Sequence, residues 1–310
     1  MKRAMTTDFF KNQTFRYPDF DTLSSGTRFA FSVDVEEWFQ VGAFENTFTR
    51  DQWPGLESRV EYQTEMVLAL LDELGIKATF FTLGWVGERF PAAISAVAAQ
   101  GHELACHGMD HRRLFQMTRA EFAADIIKTK QILEQISGSE VRGYRAPSFS
   151  LTPETWWSYD ELVNAGFSYS SSLYPVKTDH YGSGTAPRRP FFPVQNEGIL
   201  EIPMTVCDTP IKRMPASGGG YFRLLPYQAS KYMIRKGAFQ SKAPAVFYMH
   251  PWELDTGQPY VKNAPLISRF RHYSGQSGLP KKLRRLANDF SWGRIDAVFG
   301  PILPAAKGAS

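Results

Sequence analysis

Cysteine is nearly missing from this chain of 310 residues: Cys106 and Cys207 are the only two, and they do not form a CxxC pair. That argues against a disulfide framework and against a cysteine-held zinc cluster, and it leaves Cys106 as a small core side chain. Long apolar runs are missing too, so no segment has membrane-spanning length. The N-terminus opens Met1-Lys2-Arg3, but Asp8 and Lys11 interrupt it before any run of signal-peptide length, and a cytoplasmic location is the expectation. Net charge is only +4, too little to argue for nucleic acid as a partner. The charge is uneven, however. Residues 256 to 310 carry nine Lys or Arg against Asp289 and Asp296, about +7, which reads as a solvated basic face or as a surface for an anionic polymer or a membrane periphery.

What is present is enough apolar material, 43% of residues, for one large core with an appendage. Residues 1 to 27 are polar and rich in turn formers and read as an arm. From Arg28 on, strand and helix signals alternate. Phe29 to Val33 reads as a buried strand, Glu57 to Leu74 as a helix closed by Gly75, and Lys77 to Leu83 as the next strand. A helix over Ala92 to Gln100 and a short strand over Glu103 to Cys106 follow. Thr118-Arg119-Ala120-Glu121 is a capping box that opens a helix to about Ile136, Thr152-Pro153 starts another, and Ala245 to Met249 gives a late strand. Residues 176 to 200 form a long connection without periodicity. Gly218-Gly219-Gly220 lacks the residues of a phosphate loop and implies no strand-to-helix turn, so it reads as a mobile or close-packed loop. Repeated βα units predict a parallel sheet curled into an α/β barrel.

In such a barrel, reactive groups gather where strands end. His107 and His111, four residues apart, can converge on one divalent metal. The first strand delivers Asp34, Glu36 and Glu37 at its end, the segment Val141 to Ser148 runs from a strand into a turn carrying Arg145, and the late strand ends at His250.

These motifs, in this order, resemble polysaccharide deacetylases of the NodB-homology type, the fourth carbohydrate esterase family, over roughly residues 28 to 255. The resemblance rests on Asp34-Val35-Glu36, His107-Gly108-Met109-Asp110-His111, Arg145-Ala146-Pro147 and Tyr248-Met249-His250. With Phe-Phe-Thr-Leu-Gly-Trp, Tyr-Arg-Ala-Pro-Ser-Phe-Ser and His-Pro-Trp-Glu-Leu-Asp it further resembles a subgroup found in exopolysaccharide and exosortase loci, which carries a C-terminal extension. It implies a distorted (β/α) barrel over 28–255, an arm over 1–27, and a basic extension over 256–310 docked on the barrel. It also implies a base and a metal-binding carboxylate at the first strand end, two metal-binding histidines, an arginine supporting the base, and a histidine acid.

Alternation on a strand places residues i and i+2 on one face, which favours Glu36 over Glu37 as the partner of Asp34. Glu36, His107 and His111 then match the three-ligand pattern of catalytic zinc sites, with Asp34 as general base, Arg145 holding it charged, and His250 as general acid. Trp38, Tyr144, Tyr221 and Trp252 lie beside these motifs and are candidate sugar contacts. Ser148, where the family has Tyr, and Gly108 and Tyr248 bear on substrate shape. The expected activity is hydrolytic N-deacetylation of an N-acetylated glycan or its biosynthetic precursor. The alternatives are a cyclic-amide or imide hydrolase on the same fold, and a catalytically silent glycan-binding protein.

Overall fold

The computed structural model of the chain describes residues 9–20, 26–176, 182, 184–193 and 198–305. Strand β1 (Arg28–Val35) is buried at every position after Arg28, as expected of a parallel strand covered on both faces. Its side chains still sort by parity. Phe29, Phe31, Val33 and Val35 join the apolar cluster packed under the helices, whereas Ala30 joins a second cluster with Phe81, Ala105, Tyr169 and Leu200. Period-two alternation carries Ser32 and Asp34 to the same face as Ala30.

Strands β2 (Thr79–Thr82), β3 (Glu103–Cys106), β4 (Gly143–Tyr144), β5 (Tyr169–Ser170) and β6 (Leu200–Glu201) follow, each parallel to the one before it. A small antiparallel pair, β7 (Val206–Asp208) and β8 (Arg213–Pro215), interrupts the series. Strand β9 (Val246–Met249) then returns to pair in parallel with Ala30–Val33 of β1. The last strand, β10 (Ser291–Gly293), pairs with Arg28–Ala30. Because β9 already covers Ala30 to Val33, β10 takes the edge of β1 that β2 occupies further along, and so completes that edge at its N-terminal end. Among the described residues no ladder joins β6 to β9. The gap is crossed instead by Tyr248 N donating to Ser217 O (2.6 Å) and Val246 N donating to Thr205 Oγ1 (2.7 Å). The result is a curled, incompletely closed parallel barrel with helices outside, the fold class that the sequence motifs imply.

The helices are α1 (Val60–Glu73), α2 (Gly84–Arg89), α3 (Pro91–Ala99), α4 (Arg119–Ser137), α5 (Ser158–Asn164), α6 (Gly219–Leu224), α7 (Tyr227–Ser241), α8 (Leu266–Tyr273), α9 (Leu279–Asp289) and α10 (Ile295–Val298). The capping box of α4 forms as the sequence predicts: Thr118 Oγ1 accepts from Glu121 N while Glu121 Oε2 accepts from Thr118 N. Its end at Gly138 is left-handed, φ 64°, where glycine carries no Cβ penalty.

Three expectations are corrected. Helix α1 starts at Val60, not Glu57, because Glu37 caps it from outside its own sequence. Thr152-Pro153 opens only a single 3-10 turn (Pro153–Thr155), and α5 begins at Ser158. The three glycines are not a loop: Gly219 and Gly220 form the first turn of α6. Gly218 and Gly219 are close-packed, since a Cβ on Gly218 (φ 121°) would sit 2.0 Å from Tyr248 O and one on Gly219 2.7 Å from Tyr248 Oη. The described part of the N-terminal segment also packs, with Phe9, Phe10 and Phe15 around Trp156 at ring separations of 5.2, 5.7 and 6.1 Å. The connection expected over 176–200 lies partly outside the described residues.

Candidate active site

Where β1 ends, Asp34, Glu36 and Glu37 leave the sheet in three directions. Glu37 turns outward: its carboxylate accepts from Ser58 Oγ, from Arg59 N (3.1 Å) and from Val60 N (3.3 Å). It thereby satisfies amides at the start of α1 that have no partner within the helix. Glu36 turns to the histidines. Its Oε2 lies 2.9 Å from His111 Nε2 and its Oε1 3.2 Å from His250 Nε2. Ligand atoms of Glu36, His107 and His111 all lie within 4.8 Å of one another.

The histidine loop is held from three sides. Gly84 N and Trp85 N, at the start of α2, donate to Gly108 O (2.9 Å) and Met109 O (2.8 Å), and Asp125 Oδ1 of α4 accepts from Met109 N (3.0 Å). Gly108 has φ 78° and His111 has φ 57°. For histidine that left-handed conformation costs on the order of 1–3 kcal/mol and persists only when the surroundings impose it. His107 Nδ1 lies 2.9 Å from Arg145 O, so Nδ1 carries the proton toward the carbonyl and Nε2 presents its lone pair, the tautomer a metal ligand needs.

Asp34 is clamped by Arg145. The fully buried guanidinium donates from Nη1 to Asp34 Oδ1 (2.6 Å) and to Ser32 Oγ (2.9 Å), from Nε to Ser171 O (3.1 Å) and from Nη2 to Ser171 Oγ (3.1 Å). It lies over the ring of Phe81, 4.0 Å from the centroid. On the other side of Glu36, His250 Nδ1 lies 2.9 Å from Glu253 Oε1, and Glu253 Oε2 pairs with Arg223 Nε of α6 at 2.8 Å.

Burial opposes charge on Glu36, His107 and His250, and the balance with their neighbours differs at each. Burial raises the Glu36 carboxyl, but His111 and His250 outweigh it and hold the group down at about 2. Burial lowers His107 to about 4 despite the attraction of Asp34. For His250 burial also lowers, yet Glu36 and Glu253 together lift it to about 8. One imidazole is thus kept neutral and another protonated near neutral pH, the split that environments of opposite bias produce within one site.

Of the candidate sugar contacts, Tyr221 on α6 is 44% exposed and Ser148 is half-buried at a left-handed φ of 53°. Trp252 is buried as the middle ring of a stack, 4.8 Å from His250 and 4.2 Å from His272. Trp38 and Tyr144 are core side chains. Trp38 Nε1 donates to Glu57 O (2.9 Å), and Tyr144 packs between Phe122 (5.6 Å) and Phe167 (6.0 Å). Neither offers a face to a glycan. Glu253, Arg223 and His272 were not singled out from the sequence. Glu253 alone had a local signal, the three-residue spacing from His250 in His-Pro-Trp-Glu that lets a side chain reach back.

Comparison with known proteins fits this geometry. Residues 47–166 match the family model for polysaccharide deacetylase, and residues 171–300 match a domain of unknown function, DUF3473. The first part of the chain is thus similar to polysaccharide deacetylases and the second part to that other domain, each match covering less than half of the chain. The second match begins inside the barrel and takes in β6 to β10 together with the segment after 255. A peptidoglycan-N-acetylglucosamine deacetylase of Bacillus cereus is 34% identical over 33% of this chain and 36% of its own length. A chitooligosaccharide deacetylase of Sinorhizobium fredii is 33% identical over 34% of this chain and 48% of its own. The chain thus spans between a third and half of the length of these curated relatives. A crystal structure from Mycobacterium smegmatis of the polysaccharide deacetylase type superposes with a TM-score of 0.61 over 94% of this chain and 95% of that one, at 18% identity, and shares the fold.

Proposed function

We propose that the chain is a metal-dependent hydrolase that removes the acetyl group from an N-acetylated sugar in a polysaccharide or its precursor. The observation that carries this is the convergence of Glu36, His107 and His111 between two supported proton-handling groups, Asp34 with Arg145 and His250 with Glu253. The donor set fits a metal. Two imidazole nitrogens and one carboxylate oxygen are the ligand types of catalytic zinc. Glu36 Oε2 is buried only 2.9 Å from His111 Nε2, and a Glu36 oxygen and one nitrogen of each histidine lie within 4.8 Å of one another, so the ligand atoms already converge where a cation would bridge them. Zn2+ is the ion we assign; when bound it would polarise the amide carbonyl and acidify a water beside it.

The chain's own groups do the rest. Asp34, held in place by Arg145, takes a proton from the attacking water as its oxygen bonds to the carbonyl carbon. When the carbon–nitrogen bond breaks, His250 gives its Nε2 proton to the departing amine. Glu253 accepts from Nδ1 and so fixes which ring nitrogen faces the reaction, as a carboxylate does for a catalytic imidazole. Acetate and a free amino sugar leave.

The finer assignment, to the exopolysaccharide- and exosortase-associated subgroup, rests on the His-Pro-Trp-Glu-Leu-Asp and Tyr-Arg-Ala-Pro-Ser-Phe-Ser runs. Acetate release from a panel of N-acetylated oligosaccharides, beside a panel of small cyclic amides, tests the reading. Release from the sugars alone supports it, and turnover of ring amides alone overturns it in favour of an imide hydrolase.

A further inference from the structure

Helix α8 is anchored at one end and bare at the other. Its last turn is tied down: His272 stacks on Trp252 at 4.2 Å and lies 4.6 Å from Phe44, Arg223 donates to His272 O (2.6 Å) and Arg271 O (2.7 Å), and Tyr273 Oη donates to Pro259 O (2.7 Å). Since the opposite face of Trp252 carries His250, the helix ends at the wall of the active site. Its first turns point to solvent. Leu266, Ile267 and Phe270 are 77%, 59% and 57% exposed, and Tyr260 just before the helix is 57% exposed. Spacings of three and four residues to Phe270 put Ile267 and Leu266 on its face of the helix. An outlying apolar group of this size on one short helix marks an interaction surface rather than a scatter of surface residues.

The charge around it says what the surface meets. From Thr256 to Asn288 the chain has seven Lys or Arg and not one Asp or Glu. Lys262 and Arg271 are exposed beside the apolar face, and Arg269 reaches Tyr260 Oη at 3.2 Å. Large apolar side chains flanked by basic ones, on a helix lacking any acid, is the pattern of interfacial helices on anionic bilayers. Among the described residues no helix is long and apolar enough to cross a membrane, so the contact would be peripheral.

We propose that the exposed face of α8, with Tyr260, Lys262 and Arg271, docks the protein on an anionic lipid surface, with the active site next to the bilayer. If the deacetylase reading above also holds, the favoured substrates are N-acetylated glycans carried on a lipid.

The docking is tested without substrate. The full chain is sedimented with vesicles of phosphatidylglycerol and phosphatidylcholine, and with vesicles of phosphatidylcholine alone. Binding to the anionic vesicles, weakened by salt and reduced roughly tenfold or more in the double variant Ile267→Asp with Phe270→Asp, is the expected result. Charge reversal by Lys262→Glu with Arg271→Glu gives the same loss and serves as a second variant should the first fail to fold. No binding to anionic vesicles by the parent chain overturns the proposal. So does equal binding to neutral vesicles, or light scattering that shows the Ile267/Phe270 face buried in a dimer that the variant dissociates. The substrate arm compares acetate release from an N-acetylglucosaminyl lipid in anionic vesicles with release from a soluble oligosaccharide. The vesicle preference shown by the parent should vanish in the Ile267/Phe270 variant while the soluble rate stays unchanged. Absence of any acetate release would count against the deacetylase reading alone, since docking is read separately.

Discussion

Arg145 donates to Asp34 across 2.6 Å with both side chains buried, and the same guanidinium is fixed by Ser32, Ser171 and the face of Phe81. A buried pair so thoroughly supported is costly to break from one side, because the remaining charge is stranded. Its position at the C-terminal end of β1, facing the histidine cluster, gives it a chemical use as well as a structural one. Asp34→Asn should therefore lower kcat by ~10²- to 10⁴-fold while a metal titration still reports one ion per chain. Unchanged turnover in this variant would remove Asp34 from the reaction.

Glu253 should matter through His250 rather than through the fold. Glu253→Gln keeps the shape but weakens the hold on Nδ1, and a loss of ~10- to 100-fold in kcat with little change in KM is expected, the usual scale for a partner that orients a reacting imidazole. Arg223→Lys should give a smaller loss of the same kind, because lysine retains the charge beside Glu253 but cannot also reach the carbonyls of Arg271, His272 and Ser274. A KM effect alone in either variant would point to substrate contact instead.

Two buried carboxyls away from the site set a pH signature. Burial pushes Glu103 and Glu201 up to about 7, whereas in the unfolded chain such groups titrate near their ordinary ~4.3. The folded state therefore holds protons that the unfolded state has released. Stability from these groups is complete below the unfolded value and is lost as pH rises through about 7. Buried His102 and His107, both lowered to about 4, act in the opposite sense below pH ~6.5, so the comparison must be made against a variant. Urea unfolding of Glu201→Gln and of the parent at pH 5 and pH 8 should show the stability difference moving in favour of the variant at the higher pH. A difference that stays the same at the two pH values would mean that Glu201 is already ionised in the fold.

Much of this arrangement was legible because the signals were local or periodic. Buried strands such as Phe29 to Val33 are apolar-led runs, and period-two parity was enough to separate Glu36 from Glu37. The capping box at Thr118 and the glycine stop at Gly138 are chemistry within four residues of chain. What the sequence concealed depends on distant partners. The start of α1 is set by Glu37, 23 residues before it. Tyr144 looked like a sugar contact because it precedes Arg145, but strand parity turns it into the helix-facing core while Arg145 turns inward. Gly218, just before α6, must be glycine because Tyr248 O comes so close that no Cβ fits, a contact made from 30 residues away. Nothing local marks β10 as a sheet strand; it pairs with β1 across more than 260 residues.

The central claim is that Glu36, His107 and His111 hold one catalytic metal ion, and acetate release measured alongside metal content tests it most directly. Purified protein stripped with chelator should lose both the ion and the release of acetate from N-acetylated oligosaccharides. Adding Zn2+ back should restore both together, and His107→Ala should restore neither. Full activity in protein shown to be metal-free, or a His107→Ala variant that binds the ion and turns over normally, would contradict the account.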